Sequence, residues 1–183
     1  NKVAPKLDCY AYTYLNSFHM LNPNINKLLD YLNYEQHVFE KEEMVILIPK
    51  NPAATAVAEI SSEDTAMAIL MYHHASLKGQ LEEKRKLLQS IANEYEDLLK
   101  NPIDGFTEYF KTARGMLNNL NIRHNNINGA NKKDEISKMS NKQLENWYDE
   151  LYQLLLFCVL IKDNKERKDN MAEFLKDLKE HNS

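Results

Sequence analysis

The chain has 183 residues, 43% hydrophobic and 27% charged side chains, and a formal net charge of −4. The acidic balance argues against a broad surface for duplex DNA, since such binding depends on Lys and Arg that neutralise phosphates. Four Gly and five Pro are few for this length, which favours long helices over a β-sandwich or an α/β fold. We therefore expect one helical domain over residues 1–183.

The cysteines and the lengths of the apolar runs indicate in which cellular compartment the protein is expected. Cys9 and Cys158 make neither a disulfide framework nor a cluster of zinc ligands. Cys158 falls on the apolar face of a predicted helix, so a buried free thiol is expected there. No apolar run reaches the length of a membrane span. We expect a cytoplasmic protein, or a periplasmic or surface-anchored one if a signal segment was removed before the first residue, Asn1.

Apolar spacing predicts the first elements of the chain. Residues 7–21 and residues 25–32 each carry an apolar face at steps of three and four. Residues 44–48 are β-prone and end at a proline, so they predict one short extended segment. Because an isolated strand is poorly stable, this segment must lie against helices. Residues 50–55 are interpreted as a loop.

The strongest periodicity predicts one long helix over residues 60–98. Ser62 is a suitable cap for its start. Ten positions along it step by three and four, and all but two of them, His74 and Lys84, are apolar. This seam is typical of packed or coiled helices, and it suits contacts within the chain or with another chain. A helix of this length spans roughly 55–60 Å at about 1.5 Å per residue.

The C-terminal third predicts further helices. Residues 103–120 form an apolar stripe, and residues 132–138 are interpreted as a charged loop. Ser140 and Gln143 match a capping box that opens the next helix. Residues 162–170 contain neither Gly nor Pro, so the last two helical segments can be continuous. The expected fold is all-α, an elongated bundle of four to six helices around one long helix, with at most one short extended segment.

The histidines do not match a metal-binding pattern. Bundles that bind two iron ions use Glu-x-x-His pairs, whereas Glu35 and His37 are two residues apart and would point to different faces of a helix. His73 and His74 belong to no His-Glu-x-x-His motif. There is also no nucleophile elbow and no P-loop. We therefore expect no metal, no cofactor and no catalytic residue, and a His74 that is hydrogen-bonded or partly solvated.

The polar segment at residues 118–131 is the best candidate site. Half of its residues are Asn, and it carries an adjacent Arg and His between two amphipathic helices. Asn tolerates left-handed backbone and caps helix ends, so a plain polar connection is one interpretation. The other is a site that contacts RNA or a partner protein through Arg123, His124 and Asn128.

The spacing of Arg123, His124 and Gly129 resembles the motif of HEPN domains, a family of small helical bundles in toxins and phage-defence proteins. In that family an Arg and a later His from two protomers form a metal-free ribonuclease site. Asn128 stands where the resemblance implies the catalytic His, and an amide does no acid–base work at neutral pH. The resemblance therefore implies an inactive member that keeps Arg123 for RNA and keeps a dimer interface. An active ribonuclease that uses His124 is a weaker alternative.

A second resemblance is one of general pattern. Residues 6–16, 105–120 and 144–155 are similar to segments of certain helical bacterial lipoproteins of unknown function. That resemblance implies an exported bundle that acts through protein–protein contacts. The leading hypothesis is a non-catalytic, HEPN-like interaction module that contacts RNA or a protein partner as a homodimer or heterodimer, and the exported lipoprotein is the alternative.

Overall fold

A computed structural model describes residues 23–41, 43–124, 127 and 133–181. The helix predicted at residues 7–21 lies outside this part of the chain. The described residues are mostly helical and include a two-stranded antiparallel sheet. The expected all-α class is therefore confirmed.

The chain divides into two compact units, Asn1–Lys50 and Asn51–Ser183, and the single domain expected from the sequence remains a prediction. In the first unit, helix α1 spans residues 23–31. Strand β1 (Tyr34–Phe39) then pairs with strand β2 (Met44–Pro49). Strand β2 confirms the extended segment predicted from residue 44, but the sequence analysis missed β1 as its partner.

The missed strand corrects the interpretation of Glu35 and His37. Residues two apart point to the same face of a strand, whereas they were expected on different faces of a helix. His37 Nε2 lies 3.1 Å from Glu35 Oε1, so the two side chains meet on one face of β1. Asn33, which has a left-handed φ of 58°, turns the chain into this strand and accepts a hydrogen bond from Lys50 N–H at 2.9 Å.

The second unit is built around its last helix. Its described helices are α2 (Pro52–Glu59), α3 (Glu63–Met71), α4 (Leu81–Glu94), α5 (Glu96–Lys100), α6 (Thr107–Asn119), α7 (Asp134–Ser137) and α8 (Asn141–His181). Helix α8 packs against α2, α4 and α6. Together with α1, six of the described helices have eight or more residues, which agrees with the expected four to six.

Two segments predicted as loops contain helices instead. Helix α2 begins at Pro52, because Asn51 Oδ1 accepts a hydrogen bond from Ala54 N–H at 3.1 Å and proline suits the first helical position. Helix α7 is a single turn that buries Ile136. The Asn-Pro pair, and one apolar residue within a charged stretch, are the local signals for these two helices.

The long helix exists, but it is not at residues 60–98. That segment is divided into α3, a 3₁₀ turn (Ala75–Leu77), α4 and α5. Gly79 adopts a left-handed φ of 79°, which glycine tolerates well, and the chain turns there so that α3 packs on α4. The apolar period continues across the turn because both helices face the same core, and this continuity made two helices resemble one.

Helix α8 is the long helix, with 41 residues. The predicted capping box is confirmed, since Ser140 N–H donates to Gln143 Oε1 at 2.9 Å and Gln143 N–H donates to Ser140 Oγ at 3.3 Å. The helix runs on through residues 162–170, so the two C-terminal segments are continuous. None of the helices in the described part of the chain is long and apolar enough to cross a membrane.

The core of the second unit lies along the first half of α8. The buried side chains of this half are Leu144, Tyr148, Leu151, Tyr152, Leu155, Leu156, Cys158, Val159 and Ile161. Cys158 is a buried free thiol, as predicted, and burial raises its pKa to about 12. A thiol with this pKa stays protonated at neutral pH, so Cys158 acts as a small apolar side chain.

Candidate functional site

Arg123 is engaged within its own chain. It follows the end of α6, where its N–H donates to the Leu117 carbonyl at 3.1 Å. Its guanidinium pairs with the carboxylate of Glu96 on α5, and the two side chains are 17% and 31% exposed. The next residue, His124, is exposed, and Asn128 lies outside the described residues. The structure therefore gives Arg123 a packing role between α5 and α6, and contact with RNA or a partner remains a prediction for these three residues.

The described start of the Asn-rich segment forms the C-terminal end of helix α6. Asn121 has a left-handed φ of 62°, which suits Asn at the end of a helix. Its side chain hydrogen-bonds to Tyr148 on α8. Burial raises the pKa of Tyr148 to about 12, against the opposing influences of Arg85 and of this hydrogen bond. At this position, the polar segment fastens α6 to α8.

A buried lysine is the centre of a polar cluster between α4 and α8. Lys84, which is 6% exposed, occupies one of the two polar positions in the predicted seam. Its Nζ lies 2.9 Å from Glu145 Oε1 and 2.8 Å from Asp149 Oδ1. These carboxylates are one helical turn apart on α8, so they share a face. A buried ammonium needs such partners, because an unpaired charge in the interior is strongly unfavourable.

Aromatic rings enclose this cluster. Tyr72 donates its hydroxyl hydrogen to Asp149 Oδ1 at 3.1 Å, and its ring lies 5.1 Å from Lys84 Nζ. The same ring stacks on Tyr152 at 4.2 Å, and His73 meets both rings edge-on. Burial and the charge of Asp149 raise the pKa of Tyr72. Burial lowers the pKa of His73 despite the opposing charge of Asp149, so the imidazole is neutral at pH 7.

The cluster lines an open cleft of about 830 Å³. At its rim, Gly79 N–H donates to Glu145 Oε1 at 2.8 Å. Burial alone would raise the pKa of Glu145, but the hydrogen bonds from Gly79 and Lys84 outweigh it and lower this pKa. His74 accepts a hydrogen bond from Ser76 N–H at 3.3 Å, as predicted. Because these groups are satisfied by one another, we interpret the cluster as a network that ties α4 to α8.

Among the residues that the structure describes, no group of three or more His, Cys, Asp or Glu side chains could hold a metal ion.

The second half of α8 presents a different kind of site. We call residues 162–181 the tail, and every residue from 164 to 179 is exposed. Four apolar side chains of the tail lie at steps of three and four, and we call them the tail stripe: Met171 (66% exposed), Phe174 (62%), Leu175 (54%) and Leu178 (44%). Exposed apolar patches of this kind mark interaction sites in soluble proteins.

Ion pairs within the helix support the tail. Lys162 pairs with Glu166 at 2.9 Å, Lys165 with Asp169 at 2.6 Å, and Arg167 with Asp163 at 2.7 Å. Each pair spans four residues, a spacing that favours the helical state by about 0.2–0.5 kcal/mol per pair. Together with the anchored first half, these pairs hold the tail stripe on a preformed helix.

Exposed aromatic rings extend the apolar surface at the base of the tail. Phe157 is 41% exposed and lies on the line of α8 that continues into the tail stripe. Its ring centroid is 5.0 Å from that of Tyr109, which in turn lies 6.4 Å from Phe106. Both neighbours are also exposed, at 47% and 40%. The candidate interface therefore begins on the body of the second unit and continues along the tail.

The sequence predicted the last helical segment, but not that its apolar side chains form a site. The spacing of its apolar residues predicts an apolar helix face, and it does not show whether that face is covered. Residues 162–170 are all polar, which is the signal that the helix has left the core before the stripe begins. The sequence position of Lys84 also indicates the polar cluster, because a lysine in an apolar seam requires carboxylates on the facing helix.

Comparison with known proteins tests neither of the two resemblances. No family model matches the chain, and neither curated proteins nor solved structures match it. The HEPN-like and lipoprotein-like resemblances therefore remain predictions from the sequence.

Proposed function

We propose that this chain is a non-catalytic helical interaction module that binds a protein partner through the tail stripe. The observation that carries the proposal is the exposure of four apolar side chains on a helix that has left its own core. Full burial of such a side chain contributes about 1.5–3 kcal/mol. A partner that covers the stripe would gain part of this free energy from each residue.

The spacing of the tail stripe suits a helix that binds in a groove or against another helix. Amphipathic helices that bind in grooves or pair with other helices present anchors at positions i, i+3, i+4 and i+7, and Met171, Phe174, Leu175 and Leu178 have this spacing. The helix is already formed and anchored, so binding does not require the tail to fold. Preorganisation of this kind reduces the entropy lost on association.

The proposal places the contact surface away from Arg123. The sequence hypothesis centred it on Arg123, His124 and Asn128, but the Arg123 guanidinium is already paired with Glu96. An interface there would have to compete with that ion pair.

The proposal can be tested by photo-crosslinking in cells of the native host. A benzophenone amino acid replaces Phe174 in one variant and Glu173 in a control, because Glu173 lies on the outer side of the same helical turn. We expect a discrete covalent adduct from position 174 that is absent from position 173 and is lost when Leu178→Ser is added. Equal labelling at both positions, or no adduct at position 174, would contradict the proposal.

A further inference from the structure

The charges of the tail are separated by the tail stripe. At about 3.6 residues per turn, one side of the stripe carries Lys165, Lys168 and Lys179, and the other side carries Asp163, Glu166 and Asp177, while Lys176 and Glu173 lie farther round, towards the outer side. Three residues, Lys162, Arg167 and Asp169, do not follow this division, and each pairs with an opposite charge on its own helix. The stripe therefore has a basic flank and an acidic flank.

Such flanks restrict how a second copy of the tail can pack. When two identical helices pair in parallel, each flank faces the opposite flank of the partner helix. Acidic side chains then meet basic ones on both sides of the seam. In an antiparallel pair each flank faces its own kind, and like charges oppose each other. The tail is therefore complementary to itself in the parallel orientation.

A seven-residue repeat supports the same arrangement. Phe157, Asn164, Met171 and Leu178 form one row along α8, and Leu160, Arg167 and Phe174 form the other. These rows correspond to the two seam positions of a coiled coil. Asn164 is the one Asn in the first row. An Asn at this seam position fixes the register of a parallel pair, because its amide hydrogen-bonds to the same residue of the other helix.

The body of the second unit leaves this seam open. The core-facing side chains Leu144, Leu151 and Leu155 are buried and lie on the opposite side of α8 from the two rows. Phe157, at the start of the seam, is already exposed. Two copies can therefore bring their seams together, because in each copy the helices that cover Leu144, Leu151 and Leu155 pack on the opposite side of α8.

Building on the proposed function, we infer that the partner is a second copy of this chain, paired in parallel and in register along the tail. Asp163 of each copy then lies opposite Lys168 of the other copy. Because Asp163 also pairs with Arg167 of its own helix, the three charges form a network across the seam. The stripe is short, so the dimer is weak and depends on protein concentration.

The first test is the molar mass of the full chain by light scattering over a range of concentrations. We expect the mass to rise from one 21.4 kDa chain towards two. Lys168→Glu and Asp163→Lys should each weaken association by about tenfold, since two attractive pairs become repulsive. An equal mixture of the two variants should recover the dimer, because the acidic side chains at both positions of the Lys168→Glu chain then face lysines of the Asp163→Lys chain. Monomers at every concentration, or dimers that ignore both charge changes, would overturn the inference.

The second test concerns orientation. In a parallel, in-register pair, residue 178 of one copy faces residue 178 of the other, within the reach of a disulfide. We expect Leu178→Cys to cross-link under mild oxidation, while Glu173→Cys, on the outer side, and the unmodified chain do not. A dimer in which Leu178→Cys fails to cross-link would overturn the parallel arrangement.

The two proposals can fail separately. A specific adduct from position 174 with a different protein, together with a monomeric chain in light scattering, would leave the interaction module intact and remove self-pairing. The absence of any adduct, with no effect of stripe substitutions on molar mass, would remove both.

Discussion

The two halves of α8 have the same backbone but different surroundings. The first half is covered by α2, α4 and α6, and its core-facing apolar side chains are buried, although Phe157 on another face is 41% exposed. In the second half every residue from 164 to 179 is exposed, although an apolar row persists. The comparison teaches that helical periodicity shows which face of a helix is apolar, while the other elements of the fold decide whether anything covers that face.

Matched leucine truncations should separate the two halves most strongly. Leu155 is 1% exposed and Leu175 is 54% exposed. We expect Leu155→Ala to lower the free energy of unfolding by about 3 kcal/mol, because it leaves a cavity in a packed core. Leu175→Ala should change it by less than about 0.5 kcal/mol while weakening association. Chemical denaturation measures the first effect and light scattering the second; equal losses of stability would show that the tail is packed in solution.

A second test addresses the ion pairs of the anchored half. Lys84→Met removes the ammonium that Glu145 and Asp149 share, and it leaves two carboxylates close together. We expect a loss of about 2 kcal/mol, below the usual cost for a fully buried pair because Asp149 is partly exposed. Lys86→Met is the control, since Lys86 is exposed and pairs along its own helix with Glu83. A similar effect of both substitutions in urea denaturation would show that Lys84 is not a central tie between α4 and α8.

The sequence predicted what depends on local spacing. The capping box at Ser140, the cap at Ser62 and the continuity of α8 follow from residues a few positions apart. The buried thiol of Cys158 follows from its place on an apolar face. Such features need little knowledge of the rest of the chain, because their partners lie within one or two helical turns.

What the sequence did not predict depends on distant partners. The turn at Gly79 lies within an unbroken apolar period, and it forms because α3 folds back on α4. Strand β1 contains polar residues and is stabilised by pairing with β2. The carboxylates that pair with Lys84 come from a helix more than sixty positions later. For the candidate site, the apolar row at Met171 and Phe174 was visible, but its exposure depends on where the core ends.

A third test asks whether Arg123 belongs to an interface or to the packing of one chain. We expect Arg123→Ala to lower stability by about 1 kcal/mol, since it breaks a partly exposed ion pair with Glu96. His124→Ala, at an exposed neighbour, should have almost no effect on stability. Neither substitution should change the molar mass if association takes place through the tail.

The same variants test the HEPN-like interpretation, in which Arg123 and His124 contact RNA. Fluorescence anisotropy with a labelled single-stranded RNA measures binding by wild type, Arg123→Ala and His124→Ala. Loss of RNA binding in both variants, with stability unchanged, would favour the HEPN-like interpretation over the tail. A destabilised Arg123→Ala whose RNA signal matches wild type would restrict Arg123 to packing.

The smallest expected effect is a pH dependence that arises in the anchored half. The pKa of His73 is lowered, chiefly by burial, so the unfolded chain binds a proton at a higher pH than the native one does. Stability is then fully present above the ordinary histidine value of 6.5 and falls as the pH drops through the lowered native value. Glu145, whose pKa is also lowered, adds a second loss below about pH 4.5. His73→Gln should remove the loss that begins near pH 6.5 and keep the one at lower pH. Because the tail holds neither group, His73→Gln should leave the molar mass between pH 7 and pH 6 the same as in the wild type, and a difference between the two would tie the two halves of α8 together.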